Sequence, residues 1–246
     1  MKFKKDAKDA LWGKWGEAIT GLLITYILAV IIGFAIGIAM VYLIISGVVT
    51  TLGGIILYLL IMLLYVLVVL LLNLILIGIY MFIYDNKKLN DSFVARVIKV
   101  FPKAIVLNFL NGLSILLGSL LIIPGIINAY KYSMCNYILM DNPYLSVFEI
   151  REESRRMMHG EKLDLFFLEL SFIGWVLLIP LTFGLASFYV VPYMQTTIIS
   201  FYKDKSKIKQ ARYSSEIDEQ NIIARGDYKQ NRKDNFPQKG FNNPFR

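Results

Sequence analysis

The sequence holds one cysteine, Cys135, and one histidine, His159. A lone cysteine excludes an internal disulfide and any cysteine-based metal cluster, and in its apolar surroundings it reads as a small buried hydrophobe. A lone histidine excludes H-E-x-x-H zinc sites and any histidine-rich metal centre. No G-x-S-x-G, P-loop or G-x-G-x-x-G sequence occurs. The longest deficit is of charge: from Ala18 to Tyr84 the chain runs 67 residues without one charged side chain. Hiding that run from water would need a core that 246 residues do not provide, whereas a bilayer needs only about 20 apolar residues per crossing. The chain is therefore read as an integral membrane protein.

Four charged segments interrupt the apolar chain, Lys2–Glu17, Asp85–Lys103, Asp141–Asp164 and Lys203 onward, and each carries several Lys or Arg. Uncharged connections lie around Thr50–Gly54, Pro124–Gly125 and Pro180–Gly184. Placing every basic segment on the cytoplasmic side requires an even number of crossings between one and the next. The expected fold is thus all-α, a polytopic transmembrane helical bundle of six spans. These form three hairpins at 18–46/55–84, 104–123/126–140 and 163–179/185–201, with both termini inside. The last two pairs run only 15 to 20 residues per arm, so aromatic anchoring, a thinner bilayer or re-entrant geometry would have to accommodate them. A four-span version with two kinked helices is the structural alternative. Pro124 and Pro180 fall at the hairpin turns, where a missing N–H breaks no ladder in lipid.

The expected organisation is an interfacial segment at 1–17, a transmembrane domain at 18–203 and a basic, disordered cytoplasmic tail at 204–246. Asp6, Asp9 and Glu17 precede an apolar stretch too long for a signal-peptide core, so the first span is expected to stay uncleaved. From Lys203 on, eleven Lys/Arg against six Asp/Glu leave +5, and such a tail is drawn to anionic lipid headgroups. Nothing resembles a nucleic-acid module, so membrane lipids, a protein partner or a second copy are the expected partners. The charged segments also read as amphipathic helices along the inner interface. Phe93, Val97 and Phe101 share one face, and Ser146 and Glu149 have capping-box spacing ahead of Val147, Ile150, Met157 and Met158.

A repeat supports the hairpins. LLIIPGIINAYKYSMCNYIL and LLIPLTFGLASFYVVPYMQTTI align with Pro124 over Pro180 and Tyr137 over Tyr193, both 56 residues apart. The motifs IPGIINAYKYSMCNYILMDNP, LSVFEIREESRRMMHGEK, LSFIGW, VVPY and FY, in that order, resemble the bacterial family called domain of unknown function 975 across most of residues 7 to 203. Cys135-Asn136 stands where Ala-Pro is usual in that family, and Gly160-Glu161-Lys162 where Gly-His-Lys is usual. The family is distantly similar to the membrane domain of some glycerophosphodiester phosphodiesterases. The resemblance implies a multi-pass protein of the bacterial cell membrane and brings no activity with it.

Ionisable groups at membrane depth are the sharpest functional leads, because burying them in hydrocarbon costs a few kcal/mol at least. Glu169 lies inside the fifth expected span and Lys131 in the fourth; as an ion pair they would line a cavity for a proton, ion or headgroup. The plain structural reading has Lys131 snorkelling and Asn73, Asn108, Asn111 and Asn136 bonding between helices. Asp141 with Arg155 and Arg156 would make a headgroup site at the inner interface; the plain reading makes Asp141 a helix stop and the arginines a solvated, salt-bridged face. Glu152-Glu153 ahead of Arg155-Arg156 is one residue off the E-E-x-x-x-R motif of membrane CAAX-type proteases, whose later histidines are absent here. Gly33 and Gly37 form a G-x-x-x-G packing face. Neither cofactor nor metal is expected. The leading reading is a non-catalytic membrane protein acting in envelope stress, immunity or as a partner scaffold. The runner-up is a lipid or small-solute carrier using Glu169 and the inner basic residues; an intramembrane enzyme comes third.

Overall fold

The computed structural model describes residues 2–87 and 91–208, and among these every regular element is a helix. The chain divides into two units, Met1–Lys203 and Asp204–Arg246. Of the second only 204–208 are described, and they are helical; the rest of the expected basic tail lies outside the described residues. The first unit opens with a short amphipathic helix, α1 (Lys2–Leu11), then the long α2 (Trp15–Ile45) and α3 (Leu52–Tyr84), joined by a single 3-10 turn. Next come α4 (Asp91–Ser119), α5 (Ile123–Lys131), α6 (Cys135–Asp141), α7 (Val147–Met157), α8 (Lys162–Leu170) and α9 (Ile173–Leu181). A tenth helix, α10, starts at 187 and reaches the end of the unit.

At about 1.5 Å per residue, the 31 residues of α2 and 33 of α3 are each longer than the roughly 30 Å hydrocarbon core. They pair as the expected first hairpin. Among the described residues four helical stretches are long and apolar enough to cross a membrane: Trp15–Ile45, Leu52–Tyr84, Phe93–Ser119 and Lys162–Leu181. The return arms of the second and third hairpins do not join them. The α5–α6 arm is broken by a turn at Tyr132–Met134, where the Cys135 N–H bonds the Tyr132 carbonyl. In α10, Gln195, Thr196, Thr197 and Ser200 interrupt the apolar sequence. All three hairpins are present, with four arms rather than six of spanning length and apolarity.

The core does not run the length of the helices. It gathers where α3 and α6 end, from Tyr80 and Ile83 of α3, Val97 and Leu107 of α4, Leu139 of α6, Ile150 of α7 and Ile199 and Phe201 of α10. The outer lengths of α2 and α3 expose apolar side chains almost throughout, as lipid-facing surfaces do. Around this junction the amphipathic segments follow one rule. The start of α4 packs on the first hairpin, with Phe93 edge-on to Phe82 at 5.1 Å. Helix α7 packs on the second, and α1 closes the ring on the third, with Phe3 against Phe201 at 5.3 Å. Each segment covers the hairpin before it in this cycle, the spatial counterpart of the repeat.

The capping box of α7 is formed: the Ser146 hydroxyl accepts from the Glu149 N–H, and the Glu149 carboxylate accepts from the Ser146 N–H at 2.7 Å. In the second hairpin, α4 and α5 meet backbone to backbone near the tip. A side chain at Gly125 would come within 2.8 Å of the Ser119 Cα, so this crossing needs glycine.

Candidate functional site

The C-terminal ends of α3 (Leu52–Tyr84) and α6 meet at Lys203 of α10, and Asp85 also pairs with Lys87 at 3.1 Å. Lys203 Nζ donates to the carboxylate of Asp85, which caps α3, at 3.1 Å, and to both oxygens of Asp141 at 3.0 and 3.1 Å. The Tyr202 hydroxyl donates to the same Asp141 carboxylate at 2.9 Å. A cation placed against C-terminal helix ends also meets the negative ends of their dipoles. Other lysines act alike. Lys14 donates to the Ile83 carbonyl and to Asn86 Oδ1; Lys103 to the Pro143 and Leu145 carbonyls; Lys4 to the Ser171 carbonyl while lying 4.0 Å over the Phe172 ring. Burial there lowers the Lys4 pKa. In each case a side chain from one charged segment bonds an acceptor at or just beyond the end of a distant helix.

A second cluster lies between α7 and the second hairpin. Arg151 donates to Asn111 Oδ1 at 2.8 Å and to Ser114 Oγ at 2.7 Å, and its guanidinium stacks 4.2 Å over Tyr132. Ser154 donates to the Lys131 carbonyl at 2.9 Å. A third cluster joins the second and third hairpins, where the Tyr130 hydroxyl donates to Glu169 at 2.9 Å and Tyr137 donates to Gln195 at 3.2 Å. Asn108 and Asn136 exchange two side-chain bonds at 3.2 and 3.3 Å, as the plain reading of those asparagines has it.

These contacts redistribute the residues singled out in the sequence. Glu169 meets Tyr130, while Lys131 lies 5.0 Å over the ring of Tyr132; no Glu169–Lys131 ion pair occurs among the described residues. Asp141 belongs to Lys203 and Tyr202, away from Arg155 and Arg156. Those two arginines both pair with Glu152, at 2.6 and 2.9 Å, on the exposed face of α7. The arginines hold the Glu152 carboxyl below the usual carboxylate range, and Glu152 raises the pKa of Arg155. Arg151, Lys203 and Lys14 were not singled out. For Arg151 the signal was in the sequence: it lies three residues before Ser154 and seven before Met158, on the flank of α7 that turns inward.

Among the described residues no three His, Cys, Asp or Glu side chains converge as metal ligands. A groove of about 520 Å³ opens between α2 and α3, lined by Glu17, Thr20, Gly21, Leu28, Leu72 and Ile79 among others. No curated protein and no solved structure matches the chain. The distant likeness to glycerophosphodiester phosphodiesterase membrane domains finds no support. Residues 48–209, well over half of the chain, match the family model described as Protein of unknown function (DUF975), and the chain belongs to that family.

Proposed function

We propose that this is a non-catalytic protein of the bacterial cytoplasmic membrane, with both termini inside, that serves as a scaffold for a protein partner in envelope stress or immunity. The observation that carries this reading is the use of its ionisable side chains. Lys4, Lys14, Lys103, Arg151 and Lys203 each bond across the fold to a helix end or a buried amide, and Glu169 and Asp141 take tyrosine or lysine partners within the junction. Such groups fix geometry. The outward face of α7 remains for recognition, with Phe148 exposed on the helix that carries Arg155 and Arg156 and Tyr144 exposed just ahead of it, a mixture of aromatic anchors and arginine favoured at interfaces.

A photo-crosslinking side chain at Phe148, on the full chain in native membranes, tests the reading. A discrete protein adduct is expected from Phe148 and none from the lipid-facing control Leu60. Lipid adducts alone at both positions would contradict it. The groove beside Glu17 favours a second reading, in which an acyl chain lies between α2 and α3 and the protein handles lipid.

A further inference from the structure

The tips of the three hairpins differ in chemistry. The first also exposes Ile45 and Leu52 at its edges, but between them carries Ser46, Thr50 and Thr51, and its left-handed position is a glycine, Gly47 at φ 70°. That is an ordinary turn for water. The second tip is Leu120, Leu121, Ile122 and Ile123, between 69% and 81% exposed. The third exposes Leu181 and Leu185 around Phe183, which is 99% exposed. Ile122 and Phe183 occupy positive φ, at 33° and 50°, where a turn in water favours Gly or Asn. Large apolar residues stand at the very positions where local backbone preference opposes them.

The heights differ too. Arg151 and Ser154 hold the charged helix α7 beside Asn111, Ser114 and Lys131. From Ser114 to the end of α4 at Ser119 is five residues, about 8 Å of helix. In the third hairpin Lys4 binds at Ser171, and the ten residues from there to Leu181 rise about 15 Å. Trp15 stacks on Tyr189 at 4.9 Å and Trp175 lies tilted beside it at 5.7 Å, Tyr189 and Trp175 being four and six residues from the two ends of that hairpin's turn at Leu185 and Leu181, as an interfacial aromatic belt would. Both heights are at most about half of the hydrocarbon thickness. Phe93–Ser119 and Lys162–Leu181 have the length of a span, but much of it lies beside the junction. Phe93, Val97, Val100, Ala104 and Leu107 pack into the core, and Lys162 and Asp164 open α8.

We infer that only α2 and α3 cross the bilayer, and that the second and third hairpins are re-entrant, their apolar tips seated among the acyl chains of the leaflet next to the charged segments. A turn inside hydrocarbon must satisfy its own backbone. The third tip does so: every N–H from Thr182 to Val190 has an acceptor within the chain, that of Ala186 being the Thr182 hydroxyl. The second tip does so in part: the Leu121 and Ile122 N–H groups bond Gly118 and Ser119 carbonyls and Pro124 has no N–H, whereas those of Ile123 and Gly125, in the first turn of α5, take no acceptor among the described residues. The lipid partner is thus the acyl region of one leaflet, entered by two blunt wedges, while the first hairpin alone reaches the far side.

The inference rests on the membrane reading, and single-cysteine labelling separates the two. In the full chain carrying Cys135→Ser, Thr51→Cys, Leu121→Cys and Phe183→Cys are exposed in sealed vesicles to an impermeant maleimide from either side. Fluorophores at the same positions are then quenched by nitroxides on lipid acyl chains. Thr51→Cys is expected to label from the far side, which tests the membrane reading itself. Leu121→Cys and Phe183→Cys are expected to label from neither side, about tenfold or more below Thr51→Cys, and to be quenched from within the acyl region. Far-side labelling of both tips would mean six crossings and overturn the inference. Labelling of both from the charged side would place the tips outside the bilayer and overturn it equally. Each introduced cysteine lies on an exposed turn, Cys135→Ser in the buried core is the background common to all three, and a thermal midpoint unchanged from that background verifies the fold.

Discussion

Lys203→Met is expected to lower the thermal midpoint of the detergent-solubilised protein more than any other single truncation at the junction. The Lys203 side chain is 15% exposed and its two carboxylate partners, Asp85 and Asp141, are 21% and 27% exposed. Removing one partner of a fully buried pair costs about 3–5 kcal/mol, because the other charge stays desolvated and unpaired. Partial exposure screens these carboxylates, so about 2–3 kcal/mol is the expected loss. Two acids also face each other once the ammonium is gone, and only Asp85 then keeps a cation, the exposed Lys87 at 3.1 Å. Adding Asp85→Asn and Asp141→Asn to Lys203→Met should therefore recover much of the stability, since Lys87, already in water, is then the one charge left of the cluster. If Lys203→Met melts as the unaltered protein does, or the two amides add no recovery, the lysine does not tie the helix ends together.

The second large effect belongs to Arg151. Arg151→Met removes both donors to α4 and the stacking on Tyr132. Asn111, only 8% exposed, then keeps a carbonyl oxygen without its charged donor. A loss of about 2–3 kcal/mol is expected, as for a buried acceptor stripped of a charge-assisted bond. Arg151→Lys should restore little, because an ammonium lacks the planar fork that bonds Asn111 and Ser114 while stacking flat on Tyr132. The check is the thermal midpoint of both variants; full recovery in Arg151→Lys would reduce the site to a point charge.

What the sequence made legible was local. The charge-free run, the turn before Pro124, the inward faces of Phe93, Val97, Ile150 and Met158, and the capping box of Ser146 and Glu149 all follow from local sequence, whereas Pro180, expected at a turn, lies in the last turn of α9. The pairing of Arg155 and Arg156 with Glu152 is also an i, i+3 and i, i+4 relation. Glu169 with Tyr130 is a contact across 39 residues, Asp141 with Lys203 across 62, and Asp85 with Lys203 across 118. These depend on the order in which the hairpins close around the junction, which no periodicity encodes. Lys131 shows the difference. Its depth along the second hairpin could be counted, but whether it turned toward Glu169 or toward Tyr132 depended on the helix break at Tyr132–Met134. The number of spanning arms was obscured for a related reason, since an apolar run can lie against a protein core as well as against lipid.

In the proposed scaffold the ionisable residues of the junction hold the fold together and do not handle a cargo. Native mass spectrometry of the full chain in mild detergent, beside Glu169→Gln, tests it most directly. The predicted result is the same protein mass for both, with only loosely held bulk lipid. A small molecule bound one to one in the unaltered protein and lost in Glu169→Gln would contradict the claim and make Glu169 part of a carrier's binding site.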